Sequence, residues 1–217
     1  MPDPTPSPPT QATNQGPGTS NQVPILLDLP DELAGPRVLV RPYRTGDGAA
    51  LWEAVEESRE HIMPWLPWGD THKSPDDSEA FARRMQANWL LREDLSLSIW
   101  DRAGARYLGG SGLHRADWKI PSFEIGYWLR KSAAGQGYMT EAVRLITELA
   151  FTTLGAKRVF IRCAAANTRS AAVPPRAGYT LEGVLRNSHV DARGALHDMM
   201  LFAMTPEDYE RALPTRS

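Results

Sequence analysis

The sequence predicts a single mixed α/β domain, and three observations predict it. Runs of period-two apolar alternation mark strands, a strongly amphipathic segment marks a helix between two of them, and residues 37–217 have ordinary globular composition. That body of 181 residues fits one domain, large enough to bury roughly 70% of its unfolded surface in one core.

The first strand lies in PRVLVRPYR, where Val38, Val40 and Pro42 alternate with Leu39, Arg41 and Tyr43. A turn over 45–47 leads into a helix at 48–60, with Leu51, Trp52 and Val55 on one face. HIMPWLPWGD, with two prolines and two tryptophans, reads as a loop. Residues 76–92 read as a helix, because Asp76 and Asp77 favour its start and Phe81, Met85 and Trp89 recur every four residues. Strands at 95–101, 106–114 and 122–129 follow, consecutive and antiparallel, turning at 102–105 and 116–121. The clearest helix spans 138–154, with an apolar stripe of Met139, Ala142, Val143, Ile146, Ala150 and Leu154. Between strands 122–129 and 157–163 it forms a right-handed βαβ unit, which gives the sheet one parallel step. A short helix at 168–177 and strands at 179–188 and 196–204 complete the domain.

Residues 1–36 are a different material. They hold nine of the 18 prolines and no Lys, Arg or aromatic residue. Asp3, Asp28, Asp31 and Glu32 give them a charge of −4, against +2 for the rest of a chain whose net charge is −2. Residues 1–22 carry too little apolar surface to offset the entropy of ordering and are expected to be disordered. Residues 1–35 thus form a Pro-rich N-terminal segment, in which 23–35 can dock through Val23, Ile25, Leu26, Leu27 and Leu29, and the domain runs over 36–213.

Several classes are excluded. The lone Cys163 has no intramolecular partner, and the five histidines (61, 72, 114, 189, 197) show no metal-ligand spacing, so no metal is expected. No apolar run approaches ~18 residues, and the N-terminus lacks a signal-peptide pattern. A cytoplasmic protein without a membrane partner is expected. The near-neutral charge argues against nucleic acid, which needs a basic footprint.

One turn carries chemistry. In Leu129-Arg-Lys-Ser-Ala-Ala-Gly-Gln-Gly-Tyr-Met-Thr-Glu-Ala142, two glycines spaced by one residue open onto a helix N-terminus, where free N–H groups and the dipole favour an anion. A dinucleotide motif would place a third glycine at 140, where this chain has Thr, and a P-loop would need Gly-Lys-Ser/Thr. A plain tight turn stands beside the anion-site reading.

The runs Glu124-Ile-Gly-Tyr-Trp-Leu129 and Gly135-Gln-Gly-Tyr-Met-Thr-Glu-Ala142 resemble the central block of the GNAT superfamily of N-acetyltransferases, and more narrowly its ribosomal-protein N-terminal acetyltransferase branch. PRVLVRPYR, the AANTRS of 165–170 with the AGY of 177–179, and the closing LEGVLRNSHVDARGALHDMMLFAMTPEDY agree, so the resemblance covers roughly 36–210. It implies a strongly bent mixed sheet of about seven strands flanked by helices, with acetyl-CoA as cosubstrate in the splay between the two parallel strands 122–129 and 157–163. Pantetheine amides would pair with backbone at Tyr127, Trp128 and Leu129. The pyrophosphate would sit on the N–H groups of Ala133, Ala134, Gly135, Gln136, Gly137, Tyr138 and Met139. Two departures stand out. Ser132 replaces the family's usual Arg or Gln. Pro174-Pro175 interrupts the helix after Asn167, predicting a short or kinked helix and excluding a tyrosine acid at position 174.

Amine acetylation needs a proton acceptor for the amine and a proton for the departing thiolate. In the implied frame Glu124 is the candidate base, the alternative being a solvated or salt-bridged strand residue. Ser170 is the candidate acid by motif position, the alternative being a helix cap. Backbone N–H groups near Trp128 would hold the oxyanion. Asn167 would bond the cosubstrate's amide portion, or act as a cap. Arg176 reads as a surface residue within reach of a phosphate. Glu141 at a helix start fits the dipole. Trp65 and Trp68, with His61, suit either a peptide clamp or a core lid. Cys163 reads as core. The implied activity is acetyl transfer to a primary amine, most typically a protein N-terminal α-amine. Acetylation of a small amine (polyamine, amino acid or antibiotic) and a non-catalytic acyl-CoA-binding module are the alternatives, and homodimers are a tendency of the family.

Overall fold

The structure is a computed structural model that describes residues 23–191 and 194–212. The stretch expected to be disordered, 1–22, lies outside the described residues. One eight-stranded sheet runs in the order β1-β2-β3-β4-β5-β6-β8-β7. Its strands are β1 (Leu33–Ala34), β2 (Val38–Pro42), β3 (Leu95–Asp101), β4 (Tyr107–Asp117), β5 (Ser122–Leu129), β6 (Arg158–Ala164), β7 (Thr180–Val190) and β8 (Leu196–Met204). The expected seven strands become eight because Leu33 and Ala34 pair with Val40 and Leu39, a two-residue strand too short to show any period. Of the residues expected to dock ahead of Pro36, Leu27 and Leu29 pack against the core, joined by Leu33, whereas Val23, Ile25 and Leu26 are exposed.

Helices cover both faces. α1 (Gly48–Ile62) and α2 (Pro75–Leu91) lie on one side, α3 (Tyr138–Glu148) on the other. Ser74 caps α2 by accepting the Asp77 N–H at 3.1 Å, and Arg92 ends it in the left-handed region. The main core under α3 gathers Leu113, Phe123, Ile125, Met139, Val143, Ile146 and Ile161. A second core under α1 and α2 holds Tyr43, Leu51, Val55, Trp100, Tyr107 and Trp128.

Three local readings change. The predicted helix over 138–154 is α-helical only to Glu148, then π-wound over Leu149–Thr153; this wider turn keeps Leu149, Ala150 and Leu154 buried. The Pro-Trp loop contains a 3₁₀ turn at Pro67–Thr71, with Trp68 set edge-on to Trp128 at 5.4 Å, over the second core. A last helix, α6 (Pro206–Ala212), was not expected; the Thr205 hydroxyl donates to Asp208 at 3.0 Å at its start. At the two prolines the expected break occurs: α4 (Thr168–Ala171) stops, and α5 (Val173–Ala177) starts with Pro174 in its first turn.

All neighbouring strands are antiparallel except β5 and β6, which run parallel. They pair only at Ser122↔Arg158, Phe123↔Val159 and Glu124↔Phe160. Beyond Glu124 the two strands share no ladder, so the backbone of Ile125–Leu129 is left unpaired on that side. This is where the sheet opens.

Candidate active site

The glycine turn lies between β5 and α3. Gly135 and Gly137 have φ of +78° and +83°, which only glycine adopts without strain. No side chain caps α3, so its first N–H groups face outward beside the turn. Ala133 and Met139 bury their side chains in the core, leaving their backbone as the part that can meet a ligand. Ala134 and Tyr138 are half-buried, and Gln136 is exposed. The Gln136 side chain donates to the Ser132 carbonyl at 2.9 Å. Ser132, where a longer cationic or amide side chain was expected, accepts a hydrogen bond from Arg106 at 2.6 Å.

Two buttresses hold this turn. Just ahead of β2, Arg37 donates through Nε to Glu141 at 2.9 Å and through Nη1 to the Gln136 carbonyl at 2.8 Å, while its guanidinium covers the Tyr138 ring. Glu141 also accepts the backbone N–H of Arg37 at 2.7 Å and of Val38 at 3.1 Å. From α1, Glu57 accepts the Ser132 N–H at 2.7 Å and binds the buried Arg130 guanidinium. Burial opposes the Glu57 charge, yet Arg130 and Ser132 outweigh it and bring the carboxyl down to about 2. A groove of about 890 Å³ runs past the turn, lined by Arg37, Gly135, Gln136, Gly137, Arg144 and Arg176 among others. Arg37 is paired with Glu141, and Glu148 also lines the groove, so it is Arg144, Arg176 and the free N–H groups that suit a phosphorylated ligand such as the pyrophosphate of acetyl-CoA.

Beyond the end of the β5–β6 ladder, Tyr127 of β5 reaches the helix that follows β6. The Tyr127 hydroxyl donates to the Ser170 carbonyl at 2.9 Å, and the Ser170 hydroxyl lies 3.4 Å from it. Burial raises the Tyr127 phenol well above its ordinary range, so it stays protonated. Asn167 is the cap of α4, accepting the Ser170 N–H at 3.1 Å, so of the two proposed caps it is Asn167 that caps. Trp128 points into the second core, and Leu129 stands opposite Gly109 across the β4–β5 ladder. The backbone of Tyr127, Trp128 and Leu129 is therefore what faces the gap. Burial pushes the Cys163 thiol up, as a core residue requires.

Glu124 lies on the other face, toward α1 and α2. It is held by Arg162, with both contacts at 3.0 Å, and by Arg115 at 3.0 Å. Arg115 reaches this face because a bulge after His114 puts it in the left-handed region at φ +50°. Three of a carboxylate's roughly four acceptor directions are thus engaged. The salt-bridged alternative describes Glu124 in the free chain. Sequence reasoning missed Arg106 and Glu57, which lie in no motif, and passed over Arg37, which lies in PRVLVRPYR but carries no period or spacing that points to the turn. Their contacts to the turn span 26 to 104 residues.

A mixed sheet that opens at its one parallel pair, with an anion cradle at the mouth, defines an acyl-transfer fold built for a nucleotide thioester. Residues 37–180 match the model of the acetyltransferase (GNAT) domain, and the chain belongs to that family of N-acetyltransferases, which use acetyl-CoA. It is 37% identical over 181 residues to "Probable N-acetyltransferase YjcK" of Bacillus subtilis, covering 82% of this chain and 99% of that one. It is 34% identical over 154 residues to the ribosomal-protein-serine acetyltransferase of Escherichia coli, covering 70% and 84%. The ribosomal-protein-S5-alanine acetyltransferase structure from Vibrio fischeri superposes with a TM-score of 0.74 at 18% identity, over 82% of this chain and 98% of that one. No helix among the described residues is long and apolar enough to cross a membrane.

Proposed function

We propose that this enzyme transfers the acetyl group of acetyl-CoA to a protein N-terminal α-amine in the cytoplasm, by direct attack in a ternary complex. The observation that carries the acyl-donor half is the cradle: Gly135 and Gly137 in the left-handed region in front of an uncapped helix. The acceptor half is supported by the likeness to the ribosomal-protein-serine acetyltransferase. In this reading the N–H groups from Ala133 to Met139 hold the pyrophosphate, and the unpaired backbone at Tyr127–Leu129 aligns the pantetheine. A backbone N–H near Trp128 supports the oxyanion. Ser170, next to the protonated Tyr127 hydroxyl, returns a proton to the departing thiolate. Asn167 fixes the Ser170 backbone and stays within the cosubstrate's reach. Glu124 orders Arg115 and Arg162 beside the acceptor.

Thiol release from acetyl-CoA, measured across Ser-, Ala- and Thr-starting peptides and a panel of small amines, tests the reading. Faster turnover with the peptides is expected. Turnover with a small amine and none with any peptide would replace the acceptor class. Binding of acetyl-CoA with no thiol release from either set would favour the binding module.

A further inference from the structure

With Glu124 committed to two guanidiniums, the face it occupies still holds a proton acceptor. His114 stands directly across the β4–β5 ladder from Glu124, and the neighbouring pair on the same face is Gly112 with Gly126. The imidazole folds back over those two glycines. A Cβ on Gly112 would come within 2.8 Å of its Cε1, and one on Gly126 within 3.5 Å of its Nε2. The ring therefore occupies space that two missing side chains leave open, and its Nε2 edge lies over Gly126. The next residues on that strand are Tyr127, Trp128 and Leu129, the backbone that borders the gap.

The other ring nitrogen is held. His114 Nδ1 is 2.8 Å from Asp94 Oδ2, and the second Asp94 oxygen accepts the Ser96 hydroxyl at 2.5 Å. Burial opposes the Asp94 charge, but the hydrogen bonds from His114 and Ser96 outweigh it and bring the carboxyl below its usual range. An ionised Asp94 can only accept, so in the neutral ring Nδ1 carries the hydrogen and Nε2 presents a lone pair. No hydrogen bond among the described residues reaches Nε2. The ring is 30% exposed, enough for a substrate to approach. The charged groups facing it are Asp94 ahead of β3, Glu124 on β5, Arg162 on β6 through Glu124, and Arg115 on its own strand.

We propose that His114, oriented by Asp94, is the general base that takes the acceptor amine's proton, a role that rests on the amine-acetyltransferase reading above. The acceptor's ammonium gives one proton to Nε2. The freed lone pair then attacks the thioester carbon, forming the C–N bond, and the C–S bond breaks with its electron pair leaving on sulfur. The second amine proton ends on the thiolate, giving free CoA, and the imidazolium releases its proton to solvent. The dyad works from one face of the sheet, and Ser170 with Tyr127 from the other side of the gap.

The test measures kcat and KM against pH for the wild type, His114→Gln, Asp94→Asn and Glu124→Gln, with an accepted amine and thiol release as readout. Calorimetric binding of CoA by each variant reports an intact fold. His114→Gln is expected to lose about 100-fold in kcat, with CoA affinity kept, and to lose the fall in rate at acid pH. Asp94→Asn is expected to lose about 10-fold, because the ring loses its preferred tautomer. Added imidazole is expected to restore part of the rate to His114→Ala, which a purely structural histidine would not allow. Glu124→Gln, which leaves the dyad intact, serves if the histidine variants do not fold; it is expected to keep the acid limb. An acid limb unchanged in His114→Gln, or abolished in Glu124→Gln, overturns the assignment while leaving the acetyltransferase reading in place. Absence of wild-type turnover with every amine overturns that reading and the base together.

Discussion

Arg37 and Glu141 are 104 residues apart in the chain and share four hydrogen bonds' worth of one junction, counting those to Val38 and Gln136. The carboxylate ties the start of β2 to the first turn of α3, and the guanidinium holds the Gln136 carbonyl beside the cradle. The Arg37 side chain is half-exposed, so its ion pair alone contributes little to stability. Its effect falls on the position of the glycine turn. Glu141→Gln keeps the size and removes the charge, and is expected to raise the KM for acetyl-CoA about three- to tenfold with a smaller change in kcat. A variant with wild-type KM would show that the turn holds its shape unaided.

Gly135 offers a cleaner probe of the same turn. A Cβ there meets nothing within 4 Å, so Gly135→Ala adds no clash. What it adds is strain at φ +78°, about 1 kcal/mol. The free turn relaxes to relieve that strain and must recover its shape to bind, so the expected result is weaker CoA binding, by a factor of roughly five, with a melting temperature near wild type. Unchanged CoA affinity, measured by calorimetry, would detach the glycine from the anion site.

The strands, helices and glycine turn were legible because each is a local pattern. Period two marks β3 and β5, a four-residue repeat marks α2, and two glycines before a helix mark the cradle. What was hidden depends on the third dimension. β1 is two residues long and shows no period. Arg115 reaches Glu124 only through a bulge that nothing in its neighbours announces. His114 looked like one of five scattered histidines until the hairpin brought Asp94, 20 residues earlier, against its ring. Glu124 was found on the right strand face, but its two arginine partners come from β4 and β6, so its engagement was not readable. Pro174-Pro175 was readable, because proline acts on its own backbone.

Ser170 and Tyr127 make a separable pair. Ser170→Ala removes the hydroxyl while leaving the backbone carbonyl that Tyr127 holds, and is expected to lower kcat about tenfold with KM values near wild type. Tyr127→Phe removes the hydrogen bond from β5 to α4 and leaves Ser170 in place. A smaller fall in kcat is expected, together with some loss of CoA affinity as the β5–β6 opening loosens. If the two substitutions were fully additive in the double variant, the hydroxyls would be acting independently and Tyr127 would have no part in the proton return by Ser170.

Glu57 makes stability depend on pH in a stated direction. Its folded carboxyl titrates at about 2, below the ordinary value of ~4.3, so folding favours its charged form. The stabilisation is complete above the ordinary value and is lost as pH falls from there toward about 2. Glu57→Gln abolishes that dependence and leaves the buried Arg130 with Glu53 as its remaining carboxylate partner. At pH ~7 the variant is expected to be less stable by about 2 kcal/mol, the worth of hydrogen bonds to a charged group. Between pH ~4.5 and ~3 the gap in urea midpoints between wild type and variant is expected to narrow. Because Glu57 also accepts the Ser132 N–H, the KM for acetyl-CoA is expected to rise in the same variant. A stability gap that stays constant down to pH ~3 would mean that the loss comes from packing, and that the carboxylate's charge does not hold the cradle.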